Sequence, residues 1–335
     1  LAIAMNPENV KYGTAGTTQE FYCKWHEEDV RWQEESAKRY VDDGHITEQD
    51  KVIVSMLSKQ RLLNLIRFYI LYDSGVKKVA RYQQFFGVEN TMRRIHGEDG
   101  CPNRGGVIWH TQGSGKTALA YYNVRYLTDY YQKHGTIAKF YFIVDRLDLL
   151  TQAANEFRAR GLHVEEINSK EDFIKNIHST GTVNNTGKPT ITVVNIQKFS
   201  KESIAKQSDY AVNVQRIYFL DEAHRSYKPT GSFLANLLSS DREAVMIALT
   251  GTPLIGTIYD DDGKPIAGKK YDSKSVFGNY IHKYYYNRSI ADGYTLKLIR
   301  EGIETTYKKK LQKALEEIEM LKGSLDKKEM YAHPK

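Results

Sequence analysis

Two cysteines in 335 residues, Cys23 and Cys101, cannot build a disulfide framework, and no Cys-x-x-Cys pair offers zinc ligands. No apolar run approaches the ~18 residues that a membrane span needs, and the opening Leu-Ala-Ile-Ala-Met is too short for a signal-peptide core. Only seven prolines occur, and 41% hydrophobic beside 27% charged residues excludes wholesale disorder. These absences predict a soluble, cytoplasmic protein with no membrane partner. The length allows about two domains, or one large lobe with extensions.

Acidic residues are concentrated at the front. Residues 1–50 hold five Lys/Arg against eleven Asp/Glu, so the overall +7 leaves +13 on residues 51–335. A basic body suits a partner with a phosphate backbone, though many enzymes are basic for other reasons.

The first fifty residues are irregular, with Asn6-Pro7, a Gly/Thr-rich stretch from Gly13 to Thr18, and Trp25 and Trp32 in acidic surroundings. Leu62, Leu65, Ile66, Tyr69 and Ile70 recur at helical spacing and predict a helix from Ser58 to Tyr72; a second helix fits Tyr82 to Ile95. From residue 105 apolar runs at Val107–His110, Phe140–Val144, Ile191–Val194, Ile217–Leu220 and Ala244–Leu249 alternate with helical stretches such as Lys116–Tyr131 and Asp148–Arg160. That alternation predicts an α/β fold, a parallel sheet with helices on both faces. Asp260-Asp261-Asp262-Gly263 lacks the alternating ligands of a calcium loop and reads as a hairpin turn between Ile258 and Ile266. Near the end, Tyr307, Leu311, Leu315, Ile318 and Leu321 form the apolar stripe of a charged helix.

The strongest chemical signal is His110-Thr111-Gln112-Gly113-Ser114-Gly115-Lys116-Thr117, directly after a predicted strand and opening a predicted helix. That context is the one a phosphate-binding loop requires. Gly113 and Gly115 can take positive φ, so successive N–H groups can turn inward around phosphate oxygens, and the following helix aims its positive end at the same anion. Lys116 reaches the β- and γ-phosphates in this reading, and Thr117 ligates Mg²⁺. The pattern ordinarily begins with glycine, and His110 stands there instead. Asp221-Glu222-Ala223-His224 follows the run Ile217–Leu220, at the strand end where parallel sheets bind ligands. Asp221 is the expected second Mg²⁺ ligand, and Glu222 the base that orients and deprotonates the attacking water. Leu249-Thr250-Gly251-Thr252-Pro253 places hydroxyls at another strand tip, suited to relaying between nucleotide and a second ligand.

In this order the three segments resemble motifs I, II and III of superfamily 2 helicases and translocases. Arg81-Tyr82-Gln83-Gln84-Phe85-Phe86, Ile108–Thr117, Val144–Leu149, Ile196-Gln197-Lys198-Phe199 and the stretch from Phe277 to Gly293 resemble, more narrowly, the restriction (R) subunit of type I restriction enzymes. His110 is the form that family uses. The resemblance covers roughly residues 50–300 and implies a RecA-like first motor lobe of a P-loop ATPase, using ATP and Mg²⁺ to pump double-stranded DNA, in a complex with methyltransferase and specificity subunits. It further implies that Gln84 reads the adenine edge with Arg81 nearby, that Gln112, Gly113, Ser114, Gly115, Lys116 and Thr117 hold ATP, and that Arg146, Gln152, Gln197 and Lys198 face the DNA backbone. His224, Thr250 and Thr252 are expected to couple the two ligands.

On this basis residues 1–50 read as the end of an upstream nuclease domain and a connector, 51–103 as a helical nucleotide-contacting segment, 104–295 as the motor lobe, and 296–335 as a connector to a second lobe. No Glu-x-Lys of the related nuclease signature and no Gln-x-x-Gly-Arg-x-x-Arg of a second lobe occur. The expectation is a piece of a motor, inactive alone. The rival readings are another superfamily 2 helicase and a nucleotide-dependent DNA-binding module that does not hydrolyse.

Overall fold

A computed structural model describes residues 1–42, 44–101, 104–179, 188–195, 213–223, 237, 241, 243–253, 255–259, 265–297 and 310–318. The front forms a hairpin of β1 (Ala2–Met5) and β2 (Val10–Gly13), then helices α1 (Val30–Lys38), α2 (Glu48–Leu57) and α3 (Lys59–Phe68). A second hairpin, β3 (Ile70–Asp73) with β4 (Val76–Val79), leads into α4 (Tyr82–His96). Strands and helices then alternate: β5 (Gly106–His110), α5 (Lys116–Lys133), β6 (Ile137–Val144), α6 (Leu147–Ala159), β7 (His163–Ile167), α7 (Lys170–His178) and β8 (Thr190–Asn195). After β9 (Val214–Asp221) and β10 (Val245–Thr250) come β11 (Ile255–Tyr259), β12 (Pro265–Asp272), α8 (Ser273–Phe277), β13 (Tyr280–Tyr284) and α9 (Tyr286–Ala291).

Seven strands make one sheet in the order β13-β5-β10-β9-β6-β8-β7, with every neighbouring pair parallel. The period of two sorts its side chains onto two faces. Phe140, Phe142, Ile217, Phe219, Ile247 and Leu249 join the core beneath α4, α5 and α6, while Tyr141, Ile143, Tyr218, Leu220, Met246 and Ala248 pack with Phe173 and Ile177 of α7 and Phe277 of α8. Burial on both faces explains why these strands read as unbroken apolar runs.

The helix expected over Ser58–Tyr72 stops at Phe68. Ser74 and Gly75 both take positive φ, 51° and 84°, the geometry of a type I′ turn, and fold Ile70–Asp73 back on Val76–Val79. Cross-strand pairing therefore overrides the helical period, and the buried stripe runs through Leu65 and Phe68 while Ile66 is exposed. The hairpin expected around Asp260 appears as the antiparallel pair β11–β12, with the turn itself outside the described residues.

The front segment is packed into the core. Tyr12 and Trp25 are buried, and Trp25 lies edge-on to Phe85 at 5.1 Å. Tyr12 donates to the Ala80 carbonyl at 3.0 Å and Thr14 to the Lys77 carbonyl at 2.8 Å. Three consecutive side chains then grip three different elements: His26 meets Asp292 at 3.2 Å, Glu27 pairs with Arg61 of α3, and Glu28 with His282 of β13. The chain divides into two compact units, Leu1–Thr295 and Leu296–Lys335. In the second, a helix spans 310–318 with Leu311, Leu315 and Ile318 about half exposed; Tyr307 and Leu321 of the expected stripe lie outside the described residues. No described helix is long and apolar enough to cross a membrane.

Candidate nucleotide-binding site

The carboxyl ends of β5, β10 and β9 lie side by side, with Thr250 opposite Trp109 and Leu249 opposite Asp221. β10 thus separates the loop after β5 from the acidic pair after β9. Beyond His110, Thr111 N–H donates to the Tyr284 carbonyl at 3.1 Å, and Ser114 N–H closes back on the Thr111 carbonyl at 3.2 Å. Gly113 and Gly115 stand at φ 78° and 83°, as the phosphate-loop reading requires. Gly115 then caps α5, whose first residues are Lys116 and Thr117. Gln112 and Gly113 are exposed, Thr117 is half-buried, and the buried hydroxyls of Thr111 and Ser114 have no hydrogen-bond partner among the described residues.

Gln84 braces this loop. Its Nε2 donates to the carbonyls of Gly115, at 3.2 Å, and Ser114, at 3.4 Å, while its Oε1 accepts from the Arg81 N–H at 3.0 Å. A Cβ on Gly115 would fall 2.4 Å from Gln84 Nε2, so the close approach needs glycine. The arrangement differs from an amide presented to adenine: both ends of the Gln84 amide are engaged with backbone, Oε1 at Arg81 and Nε2 at Ser114 and Gly115. Arg81 lays its guanidinium 3.8 Å over the ring of Tyr294.

Across β10 the acidic pair closes the site. Lys116 Nζ lies 3.5 Å from Glu222 Oε1, and Glu222 adopts φ 46°. That conformation costs a non-glycine residue about 1–2 kcal/mol and aims the side chain back at the loop. Burial pushes the Asp221 carboxyl up to about 6, with Glu222 and Asp145 adding to the effect and Lys116 opposing it. Asp145, at the tip of β6, is itself buried, with Oδ1 lacking a partner among the described residues. Its position was legible, being the first polar residue after a strand run, as Asp221 is, but its approach to Asp221 was not.

Gly251 ties the third segment to the loop. Its carbonyl accepts from Trp109 Nε1 at 3.0 Å, and a Cβ there would lie 3.3 Å from the Gln112 nitrogen. Thr250 is buried and accepts the Thr252 N–H at 3.1 Å, whereas Thr252 is exposed. Arg146 and Gln152 stand exposed at the start of α6, paired with Asp148 at 2.6 Å and Glu156 at 3.1 Å. Gln197, Lys198 and His224 lie outside the described residues.

The chain is similar to known proteins. The chain is 27% identical over 278 residues to the type I restriction enzyme HindI endonuclease subunit of Haemophilus influenzae, covering 79% of this chain and 25% of that one. It is 28% identical over 257 residues to the SsaAORF53P endonuclease subunit of Staphylococcus saprophyticus, covering 76% and 24% respectively. The chain therefore spans about a quarter of the length of these curated relatives. A nuclease-deletion mutant of the type ISP restriction-modification enzyme LlaGI, solved with a DNA substrate mimic, is similar at 16% identity and a TM-score of 0.42, over 63% of this chain and 20% of that one. Residues 83–330 match the SWI2/SNF2 ATPase family, and the chain belongs to that family.

Proposed function

We propose that this chain carries the ATP-hydrolysing first lobe of a type I restriction motor, which in the longer protein pulls duplex DNA past itself before cleavage. The observation behind the reading is the approach of Lys116 to Glu222 beside a glycine-turned loop whose buried hydroxyls have no partner among the described residues. Loop N–H groups and the start of α5 cradle the β- and γ-phosphates, and Lys116 exchanges its carboxylate partner for phosphate oxygen. Glu222, held at positive φ, orients the attacking water and takes its proton.

The donor set fits magnesium. Thr117 and Asp221 would hold it, and a carboxyl crowded by Glu222 and Asp145 is one that a divalent cation relieves. Bound there, Mg²⁺ would supply positive charge to the phosphates. Gln84 holds the loop and Arg81 lies alongside for the base. Arg146, Gln152, Gln197 and Lys198 face the DNA backbone, whose sugar-phosphate contacts let a motor move without reading sequence. His224, Thr250 and Thr252 couple the two ligands, and methyltransferase and specificity subunits complete the assembly. An arginine from a second lobe is needed for full turnover, an effect of roughly 10³–10⁵.

The test is ATP turnover by this chain, and by one extended through the downstream lobe, with and without linear duplex DNA. A silent short chain and a DNA-stimulated long one are expected, with Glu222→Gln in the long chain keeping ATP affinity while turnover stops. Normal turnover by that variant would remove Glu222 from the role of base. ATP and DNA binding without turnover in the long chain would favour the non-hydrolysing module.

A further inference from the structure

His110 opens the phosphate loop, and its side chain is fully buried. Its Nε2 lies 2.6 Å from Nδ1 of His282 on β13, and the other nitrogen of His282 meets Oε1 of Glu28 in the front segment. Asn90 of α4 donates to the second Glu28 oxygen at 3.3 Å. On the α4 side the ring is confined by Gly87, where a Cβ would meet His110 Cε1 at 3.6 Å and Leu119 Cδ1 at 2.6 Å. A carboxylate and two imidazoles, 254 and 172 residues apart along the chain, thus stand in a row that ends at the head of the loop.

With both rings neutral, the protons along this row have one order. Burial alone would raise the Glu28 carboxyl, but the hydrogen bonds from His282 and Asn90, with Arg288 nearby, outweigh it and hold the group below the ordinary range. An ionised carboxylate only accepts, so His282 Nε2 carries a proton. With His282 singly protonated, its Nδ1 is a lone pair, and His110 Nε2–H must donate to it. Burial above all, with the charge of Lys116, keeps His110 from taking a second proton, which leaves its Nδ1 as an acceptor. That atom has no partner among the described residues. Remove the carboxylate and both tautomers of each ring become open.

We propose that Glu28, His282 and His110 form a positioning relay that fixes the tautomer and placement of His110, and through it the start of the phosphate loop, so that the front segment tunes nucleotide affinity. Glu28 and His282 act through His110 rather than on the nucleotide. The inference rests on the reading of residues 110–117 as the phosphate loop.

Calorimetric titration of this chain with the magnesium complex of a non-hydrolysable ATP analogue at pH 8.5 tests it, alongside long-range ¹H–¹⁵N spectra of histidine-labelled protein. The unsubstituted chain should show the Nε2–H tautomer at His110 and His282. Glu28→Ala should scramble that signature and weaken binding about tenfold, the scale at which outer-shell partners of a site act. Glu28→Gln, which keeps an acceptor for His282, should bind within about threefold of the unsubstituted chain. His282→Ala should match Glu28→Ala, and the double variant should be no weaker than either single one. Unchanged affinity in a folded Glu28→Ala, equal losses in Glu28→Ala and Glu28→Gln, or additive losses in the double variant would overturn the relay. Failure of the nucleotide reading looks different: the unsubstituted chain and Lys116→Ala would then bind alike.

Discussion

Two buried polar clusters sit at opposite ends of the same sheet. Where β9 and β10 enter, Arg216 grips Asp241 with two hydrogen bonds, Nε to Oδ2 at 2.5 Å and Nη2 to Oδ1 at 2.9 Å, and Tyr218 donates to the same carboxylate at 3.1 Å. Tyr141 stacks on Tyr218 with centroids 4.8 Å apart and donates to Asn176, while Lys139 donates to the carbonyls of Asn176 and Ser179 at the end of α7. Where the strands leave, carboxylates crowd one another, Glu222 is held at positive φ, and the hydroxyls of Thr111 and Ser114 go without partners among the described residues. The first cluster spends its polar groups on the fold. The second withholds them, which stability alone does not require and a ligand can use.

The largest effect that would sharpen this contrast comes from the entering end. Asp241→Ala strands the Arg216 charge in the interior and should cost about 3–5 kcal/mol in denaturant titration, with nucleotide affinity of the folded fraction unchanged. A similar affinity loss would break the separation. Next is the loop: Gly115→Ala meets both the Gln84 amide and a left-handed backbone, at roughly 1–2 kcal/mol for the backbone alone. Adding Gln84→Ala should recover the part due to the clash and leave the backbone part, read by thermal midpoints of the two variants.

The smallest effect is pH-dependent. Burial pushes the Lys139 ammonium down to about 8 from the ordinary 10.5, with Arg216 adding and Glu165 opposing. Between those values the unfolded chain holds the proton that the folded one has released, so stability rises with pH across that window. The penalty is full below about 8. Lys139→Met should flatten the rise in a plot of unfolding free energy against pH from 7 to 10.5; a slope that persists would assign it to another group.

Five of the seven sheet strands, β5, β6, β8, β9 and β10, were legible because strands buried on both faces appear as short apolar runs; the edge strands β7 and β13, only partly buried, were not. Helices α4 and α5 were legible because Tyr82–Ile95 and Lys116–Tyr131 keep a helical texture. β3 was read as helix because Tyr69 and Ile70 continue the helical spacing of Leu62 and Leu65, whereas the burial of Tyr69 and Leu71 follows a period of two and the Ser74-Gly75 turn decides. The front segment looked irregular since Tyr12 and Trp25 follow no period, yet both are buried. In the site, the loop residues were legible as a local string. The Gln84 brace and the Glu28–His282–His110 row were not, since nothing in the intervening chain marks contacts of such separation.

The grip of His26, Glu27 and Glu28 on α9's far end, α3 and β13 also has a mechanical meaning. Three adjacent side chains fastened to three separate elements are loaded in parallel. Tension drawn along residues 1–25 would be divided among an ion pair with Arg61 and contacts to His282 and Asp292 before any one of them gives way. A pull on the front of this chain is thereby shared between the helical layer and the strand beside the loop of residues 111–115.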